Sequence, residues 1–447
     1  MSACLLFGNT TVQAQQSPKD WWNGKYATGE WFGFRPTLED HGIYINGTWR
    51  GTFYGIVDGG LSQRGTFDAE LHFKLKLDFE ELLGIPGLSA YGSVRWRDGD
   101  GPNGSVGASA AFNPSFTQVG KQWRLLPFYL LWESRDLLPV ENMLTISGGW
   151  ANPYFFFIQQ PESDLFVNNA IHQTKGMVNN GFPWSGTYGA WGGHVKVKPI
   201  DWYYAQVGMY MAVPNALDTD NHGLYFEGAS PSRANGFYVI GETGVTPKIA
   251  GLPGKYAFGG IYYGLKNDSF NGQPYDGRYT LYWQADQMLF REPASAAESG
   301  LEGKGSEDGK SFVDGKGSYK EVSGVSAPPS EQGLYMFNFI SFSPKYNNTM
   351  PFYFHTGLVY KGLIPTRDKD QLGVAFACGS YSYYKMLADE RLGRDSQIFE
   401  GVIEVDYRFQ VTKFAHVQPF IQYVIRPGGR GNIGNATILG LQMGVNF

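Results

Sequence analysis

Ten ionisable side chains, Arg50, Lys74, Arg95, Arg97, Glu133, His194, Glu242, Asp286, Glu404 and Arg408, stand within apolar stretches of alternating character. Guanidinium and ammonium groups donate hydrogen bonds, carboxylates accept them, and imidazole does either. Placed on one surface, such groups would hold the hydroxyl edges of a polar solute. Tyr154, in the run Tyr154-Phe155-Phe156-Phe157, and Trp184 offer aromatic faces to the C–H side of the same solute. That is the chemistry of weak, reversible recognition. The same ten side chains equally suit a water-lined wall whose charges balance one another, and the aromatics equally suit a membrane-interface girdle or a self-packed loop.

Other chemistry finds less support. The seven histidines show no HExxH, no paired metal spacing, and none adjoins a serine. Asp40-His41 and Asp220 with His222 hint at an acid-assisted hydrolase, but turn composition explains them better. Asp98, Asp100, Asn103 and Gly104 resemble a calcium loop only until Pro102 occupies a ligand position and Ser109 the twelfth. Gly309-Lys310-Ser311 imitates a phosphate loop, but the earlier glycine it needs is Lys304. No cofactor is implied. The net charge of −5 gives no basic footprint for nucleic acid. Cys4 and Cys378 make neither a disulfide framework nor a CxxC metal site.

The elements that must position these residues are strands. In Ile398–Val411, Phe399, Ile403, Val405, Tyr407, Phe409 and Val411 share one parity, against Glu400, Glu404, Asp406, Arg408 and Gln410 on the other. In the early stretch Glu70, His72, Lys74, Lys76 and Asp78 alternate with Leu71, Phe73, Leu75, Leu77 and Phe79. A period of two, bulky on one face and charged on the other, suits a wall between lipid and water. At 16% aromatic and 17% charged residues, with no run near the ~18 to 20 apolar residues of a membrane helix, any membrane contact falls to such strands. Sixteen of them can be placed between Ile43 and Phe447. The spacing therefore predicts an all-β, transmembrane antiparallel barrel of sixteen strands around a water-filled lumen, with short turns on one side and long loops on the other.

Residues 1–14 read as the remnant of a signal peptide, 15–42 as a short N-terminal periplasmic segment with a helix over Pro36–His41, and 43–447 as the barrel. Within it 292–332, rich in Gly, Ser, Lys and Glu, reads as a flexible insertion that the strand count puts on the short-turn side. A narrowing needs a segment folded inward; Asn152–Thr187, with its aromatics and the helix-compatible run Glu162–His172, is the candidate.

From about Gly29 onward the chain resembles the carbohydrate-selective porins of the Gram-negative outer membrane, OprB type. The resemblance rests on Gly29-Glu30-Trp31-Phe32-Gly33-Phe34-Arg35, on Ala285-Asp286-Gln287-Met288-Leu289, on Gly357 to Asp368, and on Gln418-Pro419 with Gln422-Tyr423 and Pro427-Gly428-Gly429. Phe32 and Thr366 depart from it, standing where that family often has glycine. It implies an outer-membrane barrel that passes small sugars into the periplasm by diffusion, in contact with outer-membrane lipids, with room for a homo-oligomer and no catalysis. A general or anion-preferring diffusion porin is the second reading, since Arg50, Lys74, Arg95 and Arg97 cluster on early strands; an outer-membrane hydrolase is the third.

Overall fold

A computed structural model describes residues 21–115, 122–125, 128–172, 175–182, 189–212, 222, 236–293 and 331–447. Sixteen antiparallel strands run in chain order. They are β1 (Ile43–Gly60), β2 (Gly65–Asp78), β3 (Leu88–Gly99), β4 (Gln122–Leu125 continued by Phe128–Glu133), β5 (Leu144–Ala151), β6 (Ala190–Ile200), β7 (Tyr203–Met211) and β8 (Phe237–Val245). The second half comprises β9 (Leu252–Tyr263), β10 (Arg278–Arg291), β11 (Gly333–Phe342), β12 (Phe352–Lys361), β13 (Gln371–Ser380), β14 (Phe399–Gln410), β15 (Ala415–Ile425) and β16 (Gly434–Asn446). Each pairs with its neighbours in sequence, and β1 pairs with both β2 and β16, Arg50 lying opposite Glu70 on one side and Gly444 on the other. The sheet is closed, so every strand edge has a partner, as a lipid environment demands.

Side-chain alternation decides which face meets which solvent. Phe53, Phe73, Leu75, Val207, Met209, Phe258, Trp283, Ile403, Val405, Leu439 and Leu441 all lie exposed on the outer face. Thr52, Glu70, His72, Glu242, Gln284, Glu404 and Gln442, at the opposite parity, are buried inside. An apolar outer belt around a polar interior is the pattern of a transmembrane barrel. The interior is not plain water: Phe112, Phe157, Phe166 and Ile171, from two long loops, are almost fully buried within it.

Two helical expectations are corrected. The N-terminal helix spans Phe34–Asp40 (α1) rather than Pro36–His41, and a 3-10 turn, Trp31–Gly33, precedes it. Gly33 at φ +89° breaks the two apart and Pro36 falls in the first turn, where its missing N–H is harmless. The Glu162–His172 run is helical only as a 3-10 turn over Pro161–Leu165, because beyond Phe166 the backbone N–H groups of Val167 and Asn168 donate to the Glu404 carboxylate instead. Short helices Phe79–Leu83 (α2) and Asn103–Val106 (α3) precede a longer one, Tyr383–Arg391 (α4), in the loop after β13. The strand pattern does not announce α4, but Ser382 caps it by accepting from the Lys385 N–H.

The N-terminal segment lies under the short-turn rim. Ala27 N–H donates to the Asn446 carbonyl at 2.8 Å, and the Trp21 ring packs on Phe414 with centroids 5.0 Å apart. Arg35 is buried, its guanidinium 3.6 Å from the Tyr26 ring centroid and 4.1 Å from that of Trp31. These cation–π contacts hold the segment's own fold together, and the Ala27 and Trp21 contacts tie it to the ends of the last two strands.

Candidate functional site

Two long loops turn into the barrel. The first follows β3 and carries α3 and Phe112; the second, from Asn152 onward, follows β5. They meet at Asn168 and Asn169. Asn169 N–H donates to the Asn113 carbonyl at 2.9 Å and its amide to the Ala110 carbonyl at 2.8 Å, so one narrowing is built from both. The expectation of an inward fold for the second loop is met; the share taken by the first had no signal in the sequence.

The wall is shaped to receive them. A Cβ on Gly373 of β13 would stand 2.5 Å from Leu165 and 2.8 Å from Phe166, closer than packed atoms come. Glycine there lets the two side chains seat against the strand without shifting. Gln418 donates to the Leu165 carbonyl at 2.6 Å, and Lys255 to that of Gln159 at 2.8 Å. Lys361 pairs with Glu162 at 2.9 Å. Gln160 donates to the Asn338 carbonyl at 2.9 Å and its own oxygen faces His355 Nε2 at 2.9 Å. Buried loop backbone must find such partners, and here the wall supplies them.

On the β1–β3 side the wall is basic. Glu70 is its centre: Arg97 donates to it from Nε at 2.7 Å and pairs through Nη2 at 2.6 Å, while Arg95 approaches within 3.4 Å. Arg95 also reaches His72 Nδ1 at 3.2 Å; a guanidinium can only donate, so that nitrogen accepts. Arg50 lies opposite Glu70 in register and within electrostatic reach of Arg95, Arg408 and Tyr154. Arg408 donates from Nε to Gln418 at 2.7 Å and stands 3.4 Å from the Asp164 carbonyl. Arg124 of β4, absent from the expected set, is in register with Arg95 and extends the row.

The twelve expected residues thus divide. Arg50, Lys74, Arg95 and Arg97 share one patch, with Arg408 and Tyr154 facing it. Glu133 lies lower on the same face, toward the short-turn rim. Asp286 is in register with Lys255, whose ammonium has turned to the second loop. Trp184 lies outside the described residues. The Tyr154–Phe157 aromatics face one another and the wall, Phe156 stacking on His194 with centroids 4.3 Å apart.

Three of the twelve have other partners. His194 Nδ1 lies 2.7 Å from Ser147 Oγ, a serine–histidine pair that sequence adjacency does not reveal. Among the described residues no carboxylate bonds its other nitrogen, so the orienting member of a nucleophilic triad is missing from the hydrogen bonds of this pair. Glu242 accepts from the Ile158 N–H at 3.1 Å, from Tyr204 at 2.8 Å, Gln206 at 2.9 Å, Tyr282 at 3.0 Å and Gln284 at 3.1 Å. Glu404 accepts from the Val167 N–H at 2.8 Å, the Asn168 N–H at 3.0 Å and Gln422 at 3.0 Å.

Known proteins share this architecture. The high-pH structure of Pseudomonas putida OprB superimposes with a TM-score of 0.80 at 23% identity, covering 95% of this chain and 99% of that one, and the low-pH structure with 0.57 at 19%. Porin B of Pseudomonas aeruginosa is 25% identical over 450 residues, 95% of this chain and 92% of its own length. The putative porin QuiX of Acinetobacter baylyi is 21% identical over 483 residues, 100% of this chain and 98% of its own. The profile of the carbohydrate-selective porin, OprB family, matches residues 63–306 and 317–447, and with most of its length matched and its barrel shared, this chain belongs to that family of Gram-negative outer-membrane porins.

Proposed function

We propose that the narrowing between the two inward loops and the basic wall is where small sugars are selected on their passive way into the periplasm. One observation carries this: Arg50, Arg95, Arg97 and Arg408 converge on the level at which Tyr154 and Asp164 are held inward. Guanidinium forks donate to hydroxyl pairs, the Tyr154 region offers apolar surface, and contacts this few release their solute again.

The charges favour a neutral solute over an anion. Arg97 donates to Glu70 and Arg95 stands within ion-pair distance of it, so part of the positive charge is balanced within the wall. The second reading, an anion-preferring pore, draws on the same excess of arginine and is separated by reversal potential under a salt gradient, where it demands strong anion selectivity. The family and the fold are those of a channel.

The test is sugar block of single-channel current in planar bilayers for the double variant Arg50→Ala, Arg95→Ala. Hydrogen bonds to charged groups contribute about 1.5 to 3 kcal/mol each, so the half-blocking sugar concentration should rise about tenfold or more. Ion conductance should rise with it. A double variant that blocks like its parent would make these arginines ordinary wall residues.

A further inference from the structure

The wall carboxylates that grip the inward loops have their acceptors filled by loop N–H groups and by donors of the neighbouring wall. Glu404, fully buried, takes the backbone N–H groups of Val167 and Asn168 and the Gln422 amide. Asn168 in turn donates its side chain to Gln422 at 3.1 Å and returns its oxygen to the Ala170 N–H at 2.9 Å. Glu400, four residues earlier on β14 and facing the same way, takes the Ser109 N–H of the first loop at 3.0 Å, the Gly428 N–H at 2.7 Å and the Tyr381 hydroxyl at 3.1 Å. Arg408, four residues later, faces the carbonyls of Asp164 and Leu165. One face of one strand therefore holds both loops, carboxylates against N–H groups and a guanidinium against C=O groups.

The other end of the second loop is tied to β8. Ile158 stands at φ +52°, a conformation that a β-branched residue avoids unless its surroundings impose it. Its N–H is bonded to Glu242, which four side-chain donors hold in place. Between Ile158 and Val167, Gln160 bonds to Asn338 and His355 on the far wall, while the Asp164 carbonyl faces Arg408 of the basic wall.

We propose that Glu242, Glu404 and Glu400 are positioning residues that set the width of the channel by holding loop backbone, and do not themselves meet the solute. The second loop is a strap stretched between Glu242 and Glu404, and Glu400 keeps the first loop against it. This deepens the sugar-selecting reading and rests on it only for the sugar. At Glu242 a carboxylate is required because all five of its hydrogen-bond partners are donors: an amide of the same shape would turn its own N–H groups toward at least one of them. At Glu404 the loop N–H groups and Gln422 are donors as well, while the Asp406 carboxyl, two residues on, also faces it.

Glu404→Leu, which removes the acceptor at similar bulk and cannot donate to Asp406, and Glu242→Gln test this separately, since the two latches lie on different strands. With heat-modifiable migration unchanged, each should raise single-channel conductance in plain salt by about twofold or more and bring switching between current levels, because an unlatched loop samples wider positions. Glu404→Asp, which keeps the carboxyl acceptor on a shorter stem, should recover part of the parent conductance. Deuterium exchange gives a readout without substitution: in the folded parent the amides of Val167 and Asn168 should exchange as slowly as those of the neighbouring strands. Parent-like conductance in both folded variants, or fast exchange at Val167 and Asn168 in the parent, would overturn the assignment. Plain-salt conductance needs no sugar, so a parent that sugars fail to block would sink the sugar reading and leave this comparison intact.

Discussion

At the scale of single residues, the two departures from the family's pattern share one property. Phe32 has φ +58° and Thr366 φ +71°, the left-handed region where glycine is at no disadvantage and an L side chain costs about 1 to 2 kcal/mol. Phe32 is 90% exposed, so its ring recovers little of that by packing. Thr366 lies in the link between β12 and β13, beside the Arg367–Asp370 pair at 2.8 Å. Thr366→Gly removes the strain but adds freedom to the unfolded chain, so the net gain should be about 0.5 to 1 kcal/mol. A higher urea midpoint for loss of the compact gel form would record it, and Thr366→Val, more branched still, should lower the midpoint. The sequence shows which side chains face inward, because alternation alone decides that. It could not show what Glu242 and Glu404 do there, for their loop partners Ile158 and Val167 are 84 and 237 residues away.

Strands were legible for the same reason that loops were not. A strand's faces repeat every two residues wherever it lies, whereas the inward loops take their shape from wall groups on many strands: Gln418 on β15, Lys255 on β9, Asn338 on β11. The run Glu162–His172 has helical composition yet bends away after Leu165 to reach Glu404. On β16 the alternation can be tested by its two faces. Leu441 is exposed on the outer side, while Gln442 is buried and donates to Thr52 at 3.2 Å across the closing seam. Leu441→Arg puts a charge into lipid at a cost of about 2 to 4 kcal/mol near the midplane and should reduce the fraction that assembles. Gln442→Ala loses one buried hydrogen bond, about 1 kcal/mol, and should assemble normally. Equal yields of compact barrel from the two would contradict the assignment of faces.

At the scale of the whole molecule, closure of the sheet fixes where an insertion can be accommodated. Residues 294–330 lie outside the described residues, but their flanks do not. Arg291 is in register with Gly333, and Glu292 N–H donates to the Gln332 carbonyl at 3.0 Å. The β10–β11 ladder is therefore complete before the insertion begins. Since β10 runs toward the rim carrying the short turns, its far end joins the turns after β2, β4 and β6 and lies away from the two inward loops, which leave from the other rim. A ladder that closes without the intervening residues does not need them for register, and lengthening a surface loop costs only about 0.6 kcal/mol per doubling. Replacing 294–330 by a two-residue turn of glycine and asparagine should thus leave heat-modifiable migration, plain-salt conductance and sugar block at their parent values. A shift in conductance or sugar block with the compact form retained would show that the insertion reaches the lumen from the periplasmic side, and a loss of the compact form would show that it helps the barrel to close.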